Sequence, residues 1–132
     1  MADATLISKG SITPGSSMKE YSFTIPSISA RGVSDEYSLP LDVLGGPIHG
    51  LRVVAPLSRD FDFSLRNKAG SSPPSVNEIL KVIDVTDGDY SAYGLGIPFR
   101  NADSPQTQNL YARVTNTDVS ETGPVEISLQ IQ

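Results

Sequence analysis

Three aspartates lie within six residues at Asp84-Val85-Thr86-Asp87-Gly88-Asp89, and Asp60 and Asp62 form a second cluster. These are the groups in the chain whose types and spacing come closest to chemistry. Calcium takes six to eight oxygen ligands, and a short acidic loop bent at a glycine offers several of them. Asp84, Asp87 and Asp89 are therefore the candidate Ca²⁺ ligands. The loop lacks the spacing and the distal glutamate of an EF-hand. A polar turn whose aspartates cap backbone amides is the stronger expectation, and no metal or cofactor is expected. Asp60 and Asp62, at i and i+2, share one face of a strand. Glycoside hydrolysis needs such paired carboxylates, but a catalytic cleft is not expected in 132 residues without a single Trp.

His49 is the one histidine, set in Gly46-Pro47-Ile48-His49-Gly50. A Ser-His-Asp triad would need it as the base, yet no Gly-x-Ser-x-Gly elbow accompanies it. We expect a solvent-exposed turn residue. With no cysteine, disulfides, thiolate zinc sites and Cys nucleophiles are excluded. No Gly-rich phosphate loop occurs. An enzyme is the least supported class, and a small hydrolase using His49 and Asp62 is a remote third reading. Sugar-binding modules stack rings on exposed aromatics, and Tyr111, on the polar face of its segment, is one aromatic placed to form a contact surface. Packing beneath a second sheet is the competing expectation for it.

Alternation at period two dominates the elements that would position these groups. Tyr21, Phe23 and Ile25 alternate with Glu20, Ser22 and Thr24 before Pro26. Tyr37, Leu39, Leu41 and Val43 alternate across Pro40, which marks an edge strand or a bulge. Strands are expected at Leu51–Ala55, Asp60–Arg66 and Tyr90–Pro98, the last with Tyr93, Leu95 and Ile97 turned inward. The clearest two are Asn109–Thr115 and Val125–Ile131, joined by turn residues from Asn116 to Pro124. A short strand at Thr5–Ser8 is a weaker signal. Ser75-x-x-Glu78 has capping-box spacing and predicts one or two helical turns near 75–83, while the β-branched content of Ile79–Val85 permits a strand instead.

The fold expected is all-β: an antiparallel sandwich, jelly-roll-like, of eight or nine strands. Residues 1–17 are read as a flexible or extended N-terminal arm and 18–132 as a single domain. Charged residues are only 19%, against about 25% in ordinary domains. The balance lies in Ser, Thr, 11 Gly and 10 Pro, the punctuation of short strands. A net charge of −5 with scattered Lys and Arg offers no basic stripe for displacing counterions, so no nucleic-acid partner is expected. No membrane span and no signal peptide are expected either, which points to a cytoplasmic product.

The order Phe61-Asp62-Phe63-Ser64-Leu65-Arg66, Ile97-Pro98-Phe99-Arg100-Asn101-Ala102-Asp103, Leu110-Tyr111-Ala112-Arg113-Val114-Thr115-Asn116 and Val125–Ile131 resembles small β-sandwich virion proteins of tailed bacteriophages. The resemblance covers the last half of the chain. It implies a non-enzymatic structural protein assembled in the host cytoplasm into a virion. Such a decoration or cement protein binds capsid or tail subunits and forms a homo-oligomer. Its corners have a physical logic: Pro98 ends a strand, Asn101 and Asp103 bond the turn, and Asn116 does the same at the next corner. The expected contacts are residues 1–17 and the loops 27–36 and 67–74. The alternative is a carbohydrate- or Ca²⁺-binding sandwich module of a surface or tail protein.

Overall fold

The computed structural model describes residues 3–12, 18–34, 36–41, 46–67, 78–99 and 110–131. Among the described residues nine strands follow in order: β1 (Thr5–Ser11), β2 (Lys19–Ile25), β3 (Tyr37–Leu39), β4 (Gly46–Val54), β5 (Phe61–Arg66), β6 (Glu78–Val85), β7 (Asp89–Phe99), β8 (Leu110–Asn116) and β9 (Val125–Ile131). They make a five-stranded sheet, β1-β2-β9-β4-β7, and a four-stranded sheet, β3-β8-β5-β6, with every strand pair antiparallel. Four nested pairs, β5 with β6, β4 with β7, β3 with β8 and β2 with β9, describe a ribbon doubled once and rolled up. Rolling brings β9 beside β4 and β8 beside β5. This is the double-sheet wiring of a jelly roll, with β1 added at one edge.

Alternation delivers one face of each sheet to the core. Tyr21, Leu129 and Leu51 form one row across the larger sheet, and Phe23, Ile127 and Val53 form the next. From the smaller sheet Phe63 pairs with Val114 and Leu65 with Ala112, all of them buried. Each large apolar side chain so buried contributes about 1.5–3 kcal/mol. That is why the alternating segments, and not the turns between them, specify the sandwich.

Three expectations are corrected. Residues 78–85 form strand β6, not helical turns: Ile79, Val82, Ile83 and Val85 are better accommodated on a pleated surface, where Phe63 pairs with Val82 and Leu65 with Leu80. Residues 75–77 lie outside the described residues. β3 stops at Leu39, because Pro40 cannot donate to a ladder. β4 begins at Gly46, so His49 lies in a strand. There it sits at the register shift between Ile48 and Gly50, half-buried.

Residues 5–11 of the N-terminal arm pair with β2, with a bulge between Leu6 and Ser8, yet every one is exposed. Ahead of them Ala4 is buried and donates its amide to Ser38 O at 2.8 Å, stitching the start of β1 to the opposite sheet. Among the described residues no helix is long and apolar enough to cross a membrane.

Candidate functional site

The acidic loop is a structural turn. Asp84 and Asp87 have positive φ (57° and 61°), a conformation that aspartate tolerates better than most side chains. Gly88 follows at 71°, so Asp87-Gly88 carries the two left-handed residues of a tight turn from β6 to β7. The capping runs opposite to expectation. The carboxylates of Asp62 and Asp60, on and beside β5, accept the amides of Asp84 (2.8 Å) and Asp87 (3.3 Å). Asp89 is held elsewhere, accepting two bonds from Arg52, Nη2 to Oδ2 at 2.9 Å and Nε to Oδ1 at 3.3 Å. Among the described residues no three His, Asp or Glu side chains converge as a metal would require.

Another carboxylate marks the corner after β8. Asp118 accepts the Asp60 amide at 3.1 Å and the Val119 amide at 2.6 Å. These bonds, the one from Asp60 first, hold its carboxyl below the usual range, as the Arg52 hydrogen bond does for Asp89. A depressed folded-state value means that the unfolded chain takes up the proton first as pH falls. The contribution of both groups is therefore complete above the unfolded value of about 4 and is lost as pH drops through the folded values. We expect the melting temperature to fall below about pH 4. Asp118→Asn should melt lower than wild type at pH 7 and lose less on acidification to pH 3, as followed by circular dichroism; parallel curves for the two proteins would refute the assignment.

Tyr111 is not a contact residue, since it is 8% exposed. It lies between Ser38 and Arg66 in one buried row across the smaller sheet, on the face opposite Ala112 and Leu65. Arg66 Nη1 donates to Glu36 Oε2 at 3.2 Å, and both side chains are buried. Farther along this face a depression of about 270 Å³ is lined by Val33, Asp62, Ser64, Lys81, Arg113 and Thr115. It brings Asp62 near two cations, but His49 is not part of it.

The loop at 27–36, expected as a contact surface, is tied down at several points. Ile28 and Thr122 exchange backbone and side-chain bonds, and Ser34 and Gly32 bond the backbone of β8. Val33, itself bridged to Thr115 of β8, is the exposed large apolar side chain among the described residues of this loop. Residues 68–74 of the other expected loop, and Asn101 and Asp103 of the first corner, lie outside the described residues. Pro98 is still inside β7, paired with Pro47, one residue before that strand ends.

Sequence reasoning missed the outer face of the larger sheet. Tyr93, expected inward, is 61% exposed. The pairing explains the change of face. Ile48 pairs with Ile97 but Gly50 pairs with Tyr93, so β7 carries extra residues at the bulge, and Gly94 and Gly96 there have positive φ (71° and 63°). A bulge re-aims a side chain, and the two closely spaced glycines in an otherwise alternating strand were the available signal. Glu20, Gln130, Gly50 and Tyr93 then form one continuous outer row across β2, β9, β4 and β7. Ser22, Ser128, Arg52 and Ser91 form the next.

No protein-family model matches the chain, and no curated protein sequence matches it.

Proposed function

We propose that this protein is a non-enzymatic structural component of a bacteriophage particle, a decoration protein that binds capsid or tail subunits and self-associates. One observation carries the reading most directly. The edge strand β1 is held in register by β2 while all its side chains are exposed, and Leu6 (44%), Ile7 (53%) and the following Ile12 (42%) stand in solvent. An edge strand offers unpaired amides and carbonyls to another chain. Exposed aliphatic residues beside them give a partner apolar area to bury. The bulge between Leu6 and Ser8, together with Lys9, restricts which strands can pair there, as a specific assembly requires. The jelly roll is an architecture that capsid proteins share with lectins, and this supports the reading by analogy alone.

Native mass measurement tests it. The full chain should be an oligomer and should sediment with phage capsids or tails. Deleting residues 2–16 should leave the β-rich circular dichroism spectrum, since β1 buries no side chain of its own, while lowering the melting temperature and abolishing both associations. A full-length protein that stays monomeric and sediments with neither particle would defeat the proposal.

A further inference from the structure

We propose that the outer face of the β2-β9-β4-β7 sheet is a binding site for a short neutral oligosaccharide, stacked on Tyr93. The site is a trough of about 140 Å³ lined by polar side chains, among them Glu20, Arg52, Glu126, Ser128 and Gln130, with Tyr93 as its wall. Gly50 sets its floor. A Cβ at that position would stand 2.7 Å from Gln130 Oε1 and 2.8 Å from Tyr93 Cδ1, so only a glycine lets the ring and the amide settle this low on the sheet.

Each feature answers to a part of a sugar. A pyranose presents a C–H face, which an aromatic ring covers, and a rim of hydroxyls that both donate and accept. Tyr93 supplies the ring, aimed outward by the bulge in β7 and 61% exposed. The rim would meet groups already held in place. Gln130 Nε2 donates to Glu20 Oε2 at 3.2 Å, the hydroxyls of Ser22 and Ser128 lie 2.9 Å apart, and Arg52 is fixed by its two bonds to Asp89. Groups fixed before binding lose little freedom when a ligand arrives.

From Glu20 on β2 to Tyr93 on β7 is three strand spacings, about 14 Å, the length of a short oligosaccharide rather than of one sugar. Glu20, Glu126 and Asp89 outnumber Arg52, so the face is acidic and disfavours sialylated or uronic sugars. The trough is small and polar, and the expected dissociation constant is about 1 mM, typical of sites that act in many copies. The inference does not depend on the virion reading: β1 offers its edge in the plane of the sheet, whereas the trough lies on its face.

The test is amide-resolved NMR titration of the full chain with maltotriose, cellotriose, mannotriose and lactose, with 3′-sialyllactose as the acidic comparison, after a screen on a printed array of neutral glycans. We expect at least one neutral sugar to give saturable shifts centred on residues 50, 93, 128 and 130. Binding should be about tenfold weaker in Tyr93→Ala and in Gln130→Ala, and near wild type in Tyr93→Phe, which keeps the ring and the cover over Gly50. Melting curves of the three variants separate lost binding from lost fold, and Tyr93→Phe keeps the test decisive if Tyr93→Ala does not fold. No saturable binding to any neutral glycan would overturn the proposal. So would tighter binding of the sialylated sugar, shifts centred elsewhere, or full affinity in a folded Tyr93→Ala.

Discussion

Asn116→Ala should lower stability by about 3 kcal/mol, or about 10–15 °C in melting temperature for a domain of this size. Asn116 is 1% exposed at the end of β8. Its Nδ2 donates to Ile28 O (3.2 Å), Ser29 O (3.0 Å) and Ser120 O (2.8 Å), while Oδ1 accepts the Asp118 amide at 2.9 Å. One side chain thus ties together the loop after β2 and the corner before β9. Alanine would not orphan all four groups. Ile28 O still accepts from the Thr122 amide and Ser29 O from the Gly32 amide. Ser120 O and the Asp118 amide, both part-buried, lose the partner described for them, and an unsatisfied group shielded from water costs about 1–3 kcal/mol. Asn116→Asp sharpens the test, since it keeps the acceptor but points a carboxylate at three carbonyl oxygens. It should be worse than alanine at pH 7 and should recover relative to wild type as acid protonates it. If Asp melts above Ala at neutral pH, the donor role assigned to Nδ2 is wrong.

Asn116 was legible because an Asn at the end of an alternating run has a narrow set of uses, and bonding the backbone of a corner is the chief one. The same local logic located the core. Tyr21, Phe23, Ile127 and Leu129 alternate in sequence and are buried in the structure, since a strand has only two faces and one must be covered. What local reasoning could not reach was anything decided by a neighbour. Residues 79–83 fit a helix or a strand by spacing, and β5 settled the matter by offering Phe63 and Leu65 as partners. Tyr93 changed face because the pairing of β7 with β4 slips between Ile97 and Tyr93, a fact about two strands at once. Asp60 and Asp62 stood out as a possible acid pair, but their role depends on amides that β6 and the turn after it bring up from more than twenty residues away. The jelly-roll-like sandwich was legible, but its strand order was hidden for the same reason, since alternation says which residues are inside and never which strands are adjacent.

The Arg66–Glu36 pair was invisible for a related reason, and it carries the other large expected effect. Arg66 extends the alternating run Phe61-Asp62-Phe63-Ser64-Leu65 and by pattern faces solvent, yet its side chain is 3% exposed and that of Glu36 is 6%. Truncating one member of a buried pair leaves the other charged and poorly solvated, at about 3–5 kcal/mol. Glu36→Leu and Arg66→Leu should each show a loss of that order in urea unfolding. The double variant, with both charges gone, should lose far less than the sum, because most of each single loss is the penalty on the stranded charge and not the worth of the pair itself. Added salt gives an independent check. Burial shields the Arg66–Glu36 pair from screening, so its double-mutant coupling should change little between low and high NaCl. Arg52 and Asp89 are about half exposed (52% and 49%), and the coupling between them should be the weaker of the two and should fade with salt. Additive single losses at Glu36 and Arg66, or a coupling that salt removes, would mean that the two charges reach water in solution and that the buried row beside Tyr111 is open.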